Sequence, residues 1–266
     1  MITPELLWSH VEEVRAKAPL VHSITNLVVM NLNANALLAL GASPIMAHEP
    51  EELPDLMAIA SALVLNLGTL DKAWIGSMKV AAREAYKRAV PLVIDPVGAG
   101  ASRLRTETAL ALIHEGQPAV IRANASELLA LAGGAVNTKG VDSTHSAAQA
   151  RDAARSLALE FRCTVVASGE TDLVTNGRET WHLGGGSSLM PRITGMGCTC
   201  SALVGAFAAV ADPLDAAAAG MAVMKVAAEL AAEKAAGPGT MQVHFLDVLH
   251  SLNRADFLGH VKLSRA

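Results

Sequence analysis

The sequence predicts an α/β fold in which one mostly parallel central sheet carries helices on both faces. Three observations lead there. Short β-rich runs alternate with longer Ala/Leu-rich stretches, the rhythm of repeated βαβ crossovers. Several strand candidates are continuous apolar runs, such as Leu92-Val93-Ile94 and Thr164-Val165-Val166-Ala167, as expected of strands covered on both sides. The composition is 52% hydrophobic but only 3% aromatic, so the interior has to be packed from Ala, Leu, Val and Met. At 266 residues the chain fits one large domain or two small ones. No linker, charge run or internal repeat divides it, and a single domain over residues 1–266 is expected.

In chain order, Thr3-Pro4 opens a helix. Leu20 to Thr25 is the first strand and Leu27 to Leu40 the helix after it. Strands follow at Ser43 to Ala47, Ala62 to Leu67 and Pro91 to Pro96, with a helix from Ala73 to Arg88 before the last of them. A helix from Thr106 to His114 leads to the strand Ala119 to Arg122, and one from Thr144 to Phe161 leads to the strand Thr164 to Ser168. From Ser168 to Trp181 the pattern changes: Gly169, Gly177 and the closely spaced strand Asp172 to Thr175 predict an antiparallel hairpin at the sheet edge. Helices at Cys200 to Ala211 and Pro213 to Ala235 complete the series. They are separated at Asp212-Pro213, an N-cap followed by proline in the first helical turn.

Composition narrows the function classes. The net charge is −4 and the pI about 6.1, which argues against a nucleic-acid surface, because phosphate backbones need a concentrated basic footprint. The mean hydropathy of +0.35 raises a membrane question. The most apolar stretch, Cys198 to Met224, is interrupted by Asp212, Pro213 and Asp215, leaving two helices each too short to span a bilayer. Met1-Ile2-Thr3-Pro4-Glu5 has no basic start or apolar stretch of a signal peptide. Cys163, Cys198 and Cys200 are an odd count without framework spacing, which suits a reducing compartment. A cytoplasmic protein without a membrane span is expected.

In open parallel sheets, ligands collect beyond the carboxyl ends of the strands, which draws attention to Asn26, Met46, Asn66, Asp95, Arg122, Asn124 and Gly169. The strongest local signal is Ile193-Thr194-Gly195-Met196-Gly197-Cys198-Thr199-Cys200-Ser201-Ala202. Two glycines there lead into an Ala-rich helix, so backbone N–H groups at its positive end form an anion site; an ordinary glycine turn before a buried helix has the same pattern. The segment matches neither a P-loop nor a dinucleotide fingerprint. Cys198 stands at the helix start, where the helix field biases a thiol toward thiolate, or it is simply a small packed residue. Asp95, in Asp95-Pro96-Val97-Gly98-Ala99, and Glu127, in Asn124-Ala125-Ser126-Glu127, bring two carboxylates to similar height. That arrangement suits Mg²⁺ held largely through waters; Asn124 and Glu127 equally fit a capping box. Arg122 either neutralises phosphate oxygens or pairs with Asp95 or Glu127. Asn31, Asn33 and Asn35 are poor mid-helix residues and call for partners beyond their helix.

Together these motifs resemble the hydroxyethylthiazole kinase family, which is ribokinase-like. The residues are Val21-His22-x-Ile24-Thr25-Asn26, Gly41-Ala42-Ser43-Pro44-x-Met46, Asn66-Leu67-Gly68-Thr69, Asp95-Pro96-Val97-Gly98-Ala99, Asn124-x-Ser126-Glu127 and Thr194-Gly195-x-Gly197-Cys198. The resemblance runs over nearly the whole chain and implies ATP-dependent, Mg²⁺-assisted phosphorylation of 4-methyl-5-(2-hydroxyethyl)thiazole in thiamine salvage. It places Met46, Gly195 and Asn26 at the thiazole, and Arg122, Ser168 and Asn124 at ATP. Asp95 and Glu127 fall near Mg²⁺, and Cys198, with Gly195 and Gly197, at the catalytic centre. Ser168 stands where threonine is frequent, and Cys198 where most ribokinase-like enzymes carry an aspartate. A homotrimer with active sites between subunits is also implied.

Overall fold

The computed structural model describes residues 1–133 and 143–266. Its elements in chain order are α1 (Pro4–Lys17), β1 (Leu20–Ile24), α2 (Met30–Leu40), β2 (Ser43–Ile45), α3 (Leu53–Ile59), β3 (Ala62–Asn66) and α4 (Lys72–Arg88). They continue with β4 (Leu92–Asp95), α5 (Arg103–Gly116), β5 (Val120–Asn124), α6 (Ala125–Leu131), α7 (Ser143–Phe161), β6 (Thr164–Ser168), β7 (Asp172–Thr175) and β8 (Thr180–Gly184). The chain closes with α8 (Met196–Ala208), α9 (Pro213–Lys234), α10 (Pro238–Ser251), α11 (Arg254–His260) and β9 (Lys262–Arg265). The strands form one nine-stranded sheet in the order β2-β1-β3-β4-β5-β6-β7-β8-β9. Pairing is parallel from β2 through β6 and antiparallel from β6 to β9.

Helix starts follow local chemistry. The Thr3 hydroxyl accepts the Leu6 N–H at 3.2 Å, the Asp71 carboxylate that of Trp74 at 2.8 Å, and Asn124 with Glu127 forms a complete capping box at α6. Asp212 occupies the N-cap of α9 ahead of Pro213, as expected, but its side chain makes no capping bond.

Each sheet face has its own core. On one side α1, α2, α8, α9, α10 and α11 pack over a row of valines, Val21, Val64, Val93, Val120 and Val166. On the other, α3 to α7 pack over larger residues such as Leu63, Leu65, Leu92, Ile94 and Ile121. The valine face is the one that α8 approaches closely. A Cβ on Gly205 would lie 2.4 Å from Val64 Cγ2 and 3.3 Å from Val21 Cγ1. Next door, a Cβ on Gly220 of α9 would stand 2.9 Å from the Val204 Cα of α8. Small residues at these positions let two helices and the sheet stack without spacers, which is the use of the aromatic-poor composition.

Several expectations are corrected. The helix expected from Cys200 begins at Met196, because packing against the valine row overrides the weak helical preference of Gly197. The helix expected from Leu27 begins at Met30; before it, the Val28 N–H donates to Asn26 Oδ1 at 3.1 Å and the Leu27 N–H to Thr69 Oγ1 at 3.1 Å, holding a turn instead. The hairpin beyond β6 is antiparallel as expected, but it is not the edge: β9 pairs with β8 through Trp181↔Arg265 to Gly184↔Lys262. That strand returns from the far end of the chain and left no pattern in the hairpin itself.

Gly220→Ala should lower stability by about 1–3 kcal/mol, since the clash is with the Val204 backbone as well as its side chain and so cannot be relieved by a rotamer change alone. Thermal denaturation would show it as a melting point lower by several degrees, about 2–4 °C per kcal/mol for a chain of this size.

Candidate active site

The site begins with alternation along the central strands. Side chains two residues apart share a face, so Asn66, Asp95, Arg122 and Ser168 continue the row of Val64, Val93, Val120 and Val166 beneath α8. Register aligns them: Val64 pairs with Val93, Asn66 with Asp95, and Val93 with Val120. Where the valine row ends at the carboxyl edge, a polar row begins.

That row is tightly bonded. Asn26 Nδ2 donates to Asn66 Oδ1 at 2.8 Å, and Asn66 Nδ2 donates to Asp95 Oδ2 at 2.7 Å. The Ser201 hydroxyl, from α8, donates to the same Asp95 oxygen at 2.7 Å. Arg122 Nη1 lies 3.9 Å from Asp95 Oδ2, and Nη2 donates to Ser168 Oγ at 2.8 Å. Two atoms are left over: Asp95 Oδ1 and Arg122 Nε are buried without a partner among the described residues. Unpaired buried groups of opposite charge are costly in a resting core and belong where a polar ligand completes them.

Electrostatics follow from burial. Removal from water pushes the Asp95 carboxyl up to about 6, against the downward pull of Arg122 and the donors on Oδ2. Burial by itself lowers the Arg122 guanidinium, but the surrounding acidic groups together, Asp95 foremost, outweigh this and leave it above its usual value.

Over this row sits the start of α8. Gly195 is its N-cap with φ 88°, a left-handed conformation suited to glycine, and no side chain caps the helix. The first intrahelical bond runs from the Thr199 N–H to Gly195 O at 2.8 Å, so the amides of Met196, Gly197 and Cys198 precede the ladder. A Cβ on Gly197 would lie 3.0 Å from Arg122 Nη1. The guanidinium and the helix end therefore face the same point. Around it opens a cavity of about 870 Å³, bounded by Arg122, Ser168, the turn Gly169–Asp172, Gly197 and Lys225.

Cys198 lies on the other side of this junction. Asn26 Nδ2 donates to its Sγ at 3.4 Å, which ties the first strand to α8. Of the two readings open for Cys198, a thiolate favoured by the helix field and a small packed residue, burial disfavours the first. Burial raises the thiol, and the Asp95 carboxylate adds to the rise, so Cys198 is a neutral thiol at neutral pH.

A profile of the Hydroxyethylthiazole kinase family matches residues 11–255. The chain belongs to the hydroxyethylthiazole kinase family. The hydroxyethylthiazole kinase of Nitratidesulfovibrio vulgaris (strain Miyazaki F) is 55% identical over 98% of both chains, and that of Oleidesulfovibrio alaskensis 57% identical over 97% of this chain and 98% of its own. The solved structure of the hydroxyethylthiazole kinase protein from Pyrococcus horikoshii superposes with a TM-score of 0.92 at 40% identity, covering 98% of this chain and 99% of that one. A pyridoxal kinase from Staphylococcus aureus in complex with AMP-PCP shares the fold at a TM-score of 0.66 and 16% identity, over 93% of this chain and 99% of that one. The fold is thus ribokinase-like, with the sheet and two helical layers expected from the sequence.

Within that family frame, the structure gathers most of the residues singled out in the sequence. Asn26, Asp95, Arg122, Ser168, Gly195, Gly197 and Cys198 meet at one junction. Glu127 is buried, but its oxygens serve the backbone: Oε1 accepts the Gly98 N–H at 2.8 Å and Oε2 the Asn124 N–H at 2.9 Å. Asn124 Oδ1 accepts the Glu127 N–H at 3.0 Å and the Ser126 hydroxyl at 2.7 Å. Met46 follows the edge strand β2, half-buried against the valine-side core. Of the three asparagines, Asn33 is the buried one: Oδ1 accepts from Thr199 Oγ1 at 2.8 Å, whereas Asn35 only bonds Asn31 at the surface.

Ser201 stood within the glycine-turn motif but was given no role, because it looks like any small residue of an Ala-rich helix. Two side chains went unnoticed in the sequence. Arg105 donates to the carbonyls of Leu67, Gly68 (2.7 Å) and Val97 (2.8 Å), bracing the loops after β3 and β4. Lys225 is the lone charge between Asp215 and Glu229 in α9; that isolation was the available signal.

Alkylation by iodoacetamide should be confined to Cys198, since Cys163 and Cys200 are buried with thiols pushed up to about 12. Its rate should be slow at pH 7.5 and rise only above the ordinary thiol range. Fast labelling at neutral pH, followed by mass spectrometry, would show a stabilised thiolate instead.

Proposed function

We propose that the chain transfers the terminal phosphoryl group of ATP to the primary hydroxyl of 4-methyl-5-(2-hydroxyethyl)thiazole, as a cytoplasmic enzyme of thiamine salvage. The observation that carries the reading is the convergence of the uncapped start of α8 with Arg122 at Gly197. Phosphoryl transfer depends on positioning and charge stabilisation more than on a strong base. Amides of Met196, Gly197 and Cys198 face the point where negative charge develops, and the Arg122 guanidinium adds a full positive charge there. The large cavity on the β5–β7 side suits ATP, with Ser168 holding the guanidinium; Asn124, expected at ATP, spends its side chain on capping α6 and does not line it.

The acceptor hydroxyl is read on the opposite side, at Asn26 and Cys198, with Met46 and Gly195 bounding the thiazole. A neutral Cys198 thiol positions that hydroxyl rather than deprotonating it; the proton leaves late in the transfer, onto an oxygen of the transferred phosphoryl group, so Cys198 contributes without being indispensable.

Mg²⁺ fits the acidic groups in a limited way. Among the described residues no three His, Cys, Asp or Glu side chains form a metal cage, whereas the unpartnered Asp95 Oδ1 is available. Asp95 would hold the ion, with Glu127 contributing charge through water, as is usual for a metal that arrives with phosphates. When bound, Mg²⁺ offsets phosphate charge.

The assembly is read as a homotrimer with active sites between subunits. Leu27 and Val28, 66% and 63% exposed directly after Asn26, support it as an apolar pair beside the acceptor side. The continuous sheet supports one kinase domain. Three free cysteines are in keeping with the cytoplasm, and no helix among the described residues is long and apolar enough to cross a membrane.

ADP release measured side by side with the hydroxyethylthiazole, hydroxymethylpyrimidine and pyridoxal should show turnover with the thiazole foremost; no thiazole-dependent ADP would overturn the reading. Gly197→Val should nearly abolish turnover by driving a side chain into Arg122. Cys198→Ala should lower kcat moderately, about 10- to 100-fold, as expected of a group that positions the acceptor hydroxyl. Asp95→Asn should weaken the dependence of rate on Mg²⁺, and an unchanged metal titration would remove Asp95 from the metal.

A further inference from the structure

Lys225 is buried in the middle of α9, 6% exposed, yet it makes no bond within its own helix layer. Its ammonium group reaches across to the turn between β6 and β7. Nζ donates to Gly169 O at 2.9 Å and Glu170 O at 2.8 Å, and lies 3.4 Å from Asp172 Oδ2. Two hydrogens of the ammonium are thus donated to carbonyls, and the Asp172 carboxylate stands beside it as its counter-charge. Asp172, 1% exposed, answers from the other side: its Oδ1 accepts the Gly169 N–H at 2.8 Å. Gly169 is held by both ends of its peptide groups, its N–H by Asp172 and its carbonyl by Lys225.

That turn is a wall of the large cavity, which Arg122 and Gly197 also line. It also begins at Ser168, whose hydroxyl receives Arg122 Nη2 at 2.8 Å and donates to Ala123 O at 3.2 Å. A shift of the turn would move the wall and the seat of the guanidinium together. Two of the three Lys225 hydrogens are given to carbonyls of the turn and its charge is paired with Asp172, in contrast to Arg122, whose Nε is unpartnered among the described residues. We propose that Lys225 and Asp172 act as one positioning unit that sets the β6–β7 turn as the nucleoside wall of the ATP cavity, without Lys225 touching the phosphates. The inference rests on ATP occupying that cavity, as read above.

The pair is a place where charge is spent on backbone. Two carbonyls in a tight turn beneath a helix have no ladder partner and need donors. A lysine supplies them from α9, and the buried carboxylate balances its charge. Losing either member leaves the other buried and uncompensated, so the two should fail as a unit.

The test compares Lys225→Met, Asp172→Asn and the double variant with the wild type, in steady-state kinetics and in inhibition by adenosine against ATP. Lys225→Met should raise the KM for ATP about ten- to a hundredfold, as expected for a displaced binding wall. The KM for the thiazole should stay within about twofold and kcat at saturating ATP within about threefold, a split that a general loss of folding would not produce. Adenosine inhibition should weaken by the same factor as ATP, and the double variant should be no worse than the weaker single one. An unchanged KM for ATP would overturn the proposal. So would a loss for ATP with adenosine unaffected, which would make Lys225 a phosphate contact, or effects that multiply in the double variant. If Lys225→Met does not fold, Asp172→Asn, which keeps an acceptor for the Gly169 N–H, carries the same comparison on the ATP-to-adenosine ratio. Absence of ATP turnover and binding in the wild type would instead sink the kinase reading itself.

Discussion

The close approach of α8 to the sheet governs the rest of the molecule, because it places a helix end directly above the ends of the central strands. Gly205 lies where any side chain would strike Val64 and Val21, and its helix neighbours Ala202 and Ala206 are fully buried. The short distance has a consequence in the second turn of the helix, where Ser201 reaches Asp95. It has another in the first turn, where Gly197 sits against the Arg122 guanidinium. A leucine-lined interface would hold the helix farther out, and neither contact would form. Aliphatic, aromatic-poor packing is therefore a requirement of the site as well as of the core.

The polar row beneath that helix is stable only because it is so fully bonded. Asn26, Asn66, Ser201 and Ser168 distribute hydrogen bonds along a line that would otherwise be a buried carboxylate facing a buried arginine. What they leave unsatisfied, Asp95 Oδ1 and Arg122 Nε, is the part a ligand can use. The raised carboxyl of Asp95 has the same origin, since burial outweighs the pull of Arg122. Function and strain coincide at one pair of atoms.

The two sides of the junction are built differently. The cavity side rests on the antiparallel extension, where β7 to β9 prolong the parallel sheet and α9 sends Lys225 down onto the β6–β7 turn. The Asn26 side rests on the first strands, which end in a turn carrying the exposed Leu27 and Val28. One side is closed by its own chain, and the other presents apolar surface outward.

Much of this was legible in one dimension. Continuous apolar runs between Ala-rich stretches determine a two-sided parallel sheet, because only strands buried on both faces lack polar alternation. The first polar residues after those runs, Asn26, Asp95 and Arg122 among them, mark the carboxyl edge by position alone. The capping box at Asn124 and Glu127 and the glycine turn at Gly195 are local motifs, set by bonds between near neighbours. Tertiary structure decided whatever depends on a second element. The neutral state of Cys198 comes from burial and from Asp95, which local helix position does not reveal. β9 covers a hairpin from which it is separated by four helices. The direction of Lys225 depends on the rotation of α9 over the sheet, and a lone lysine among alanines does not say which way it faces until the turn it supports is in place.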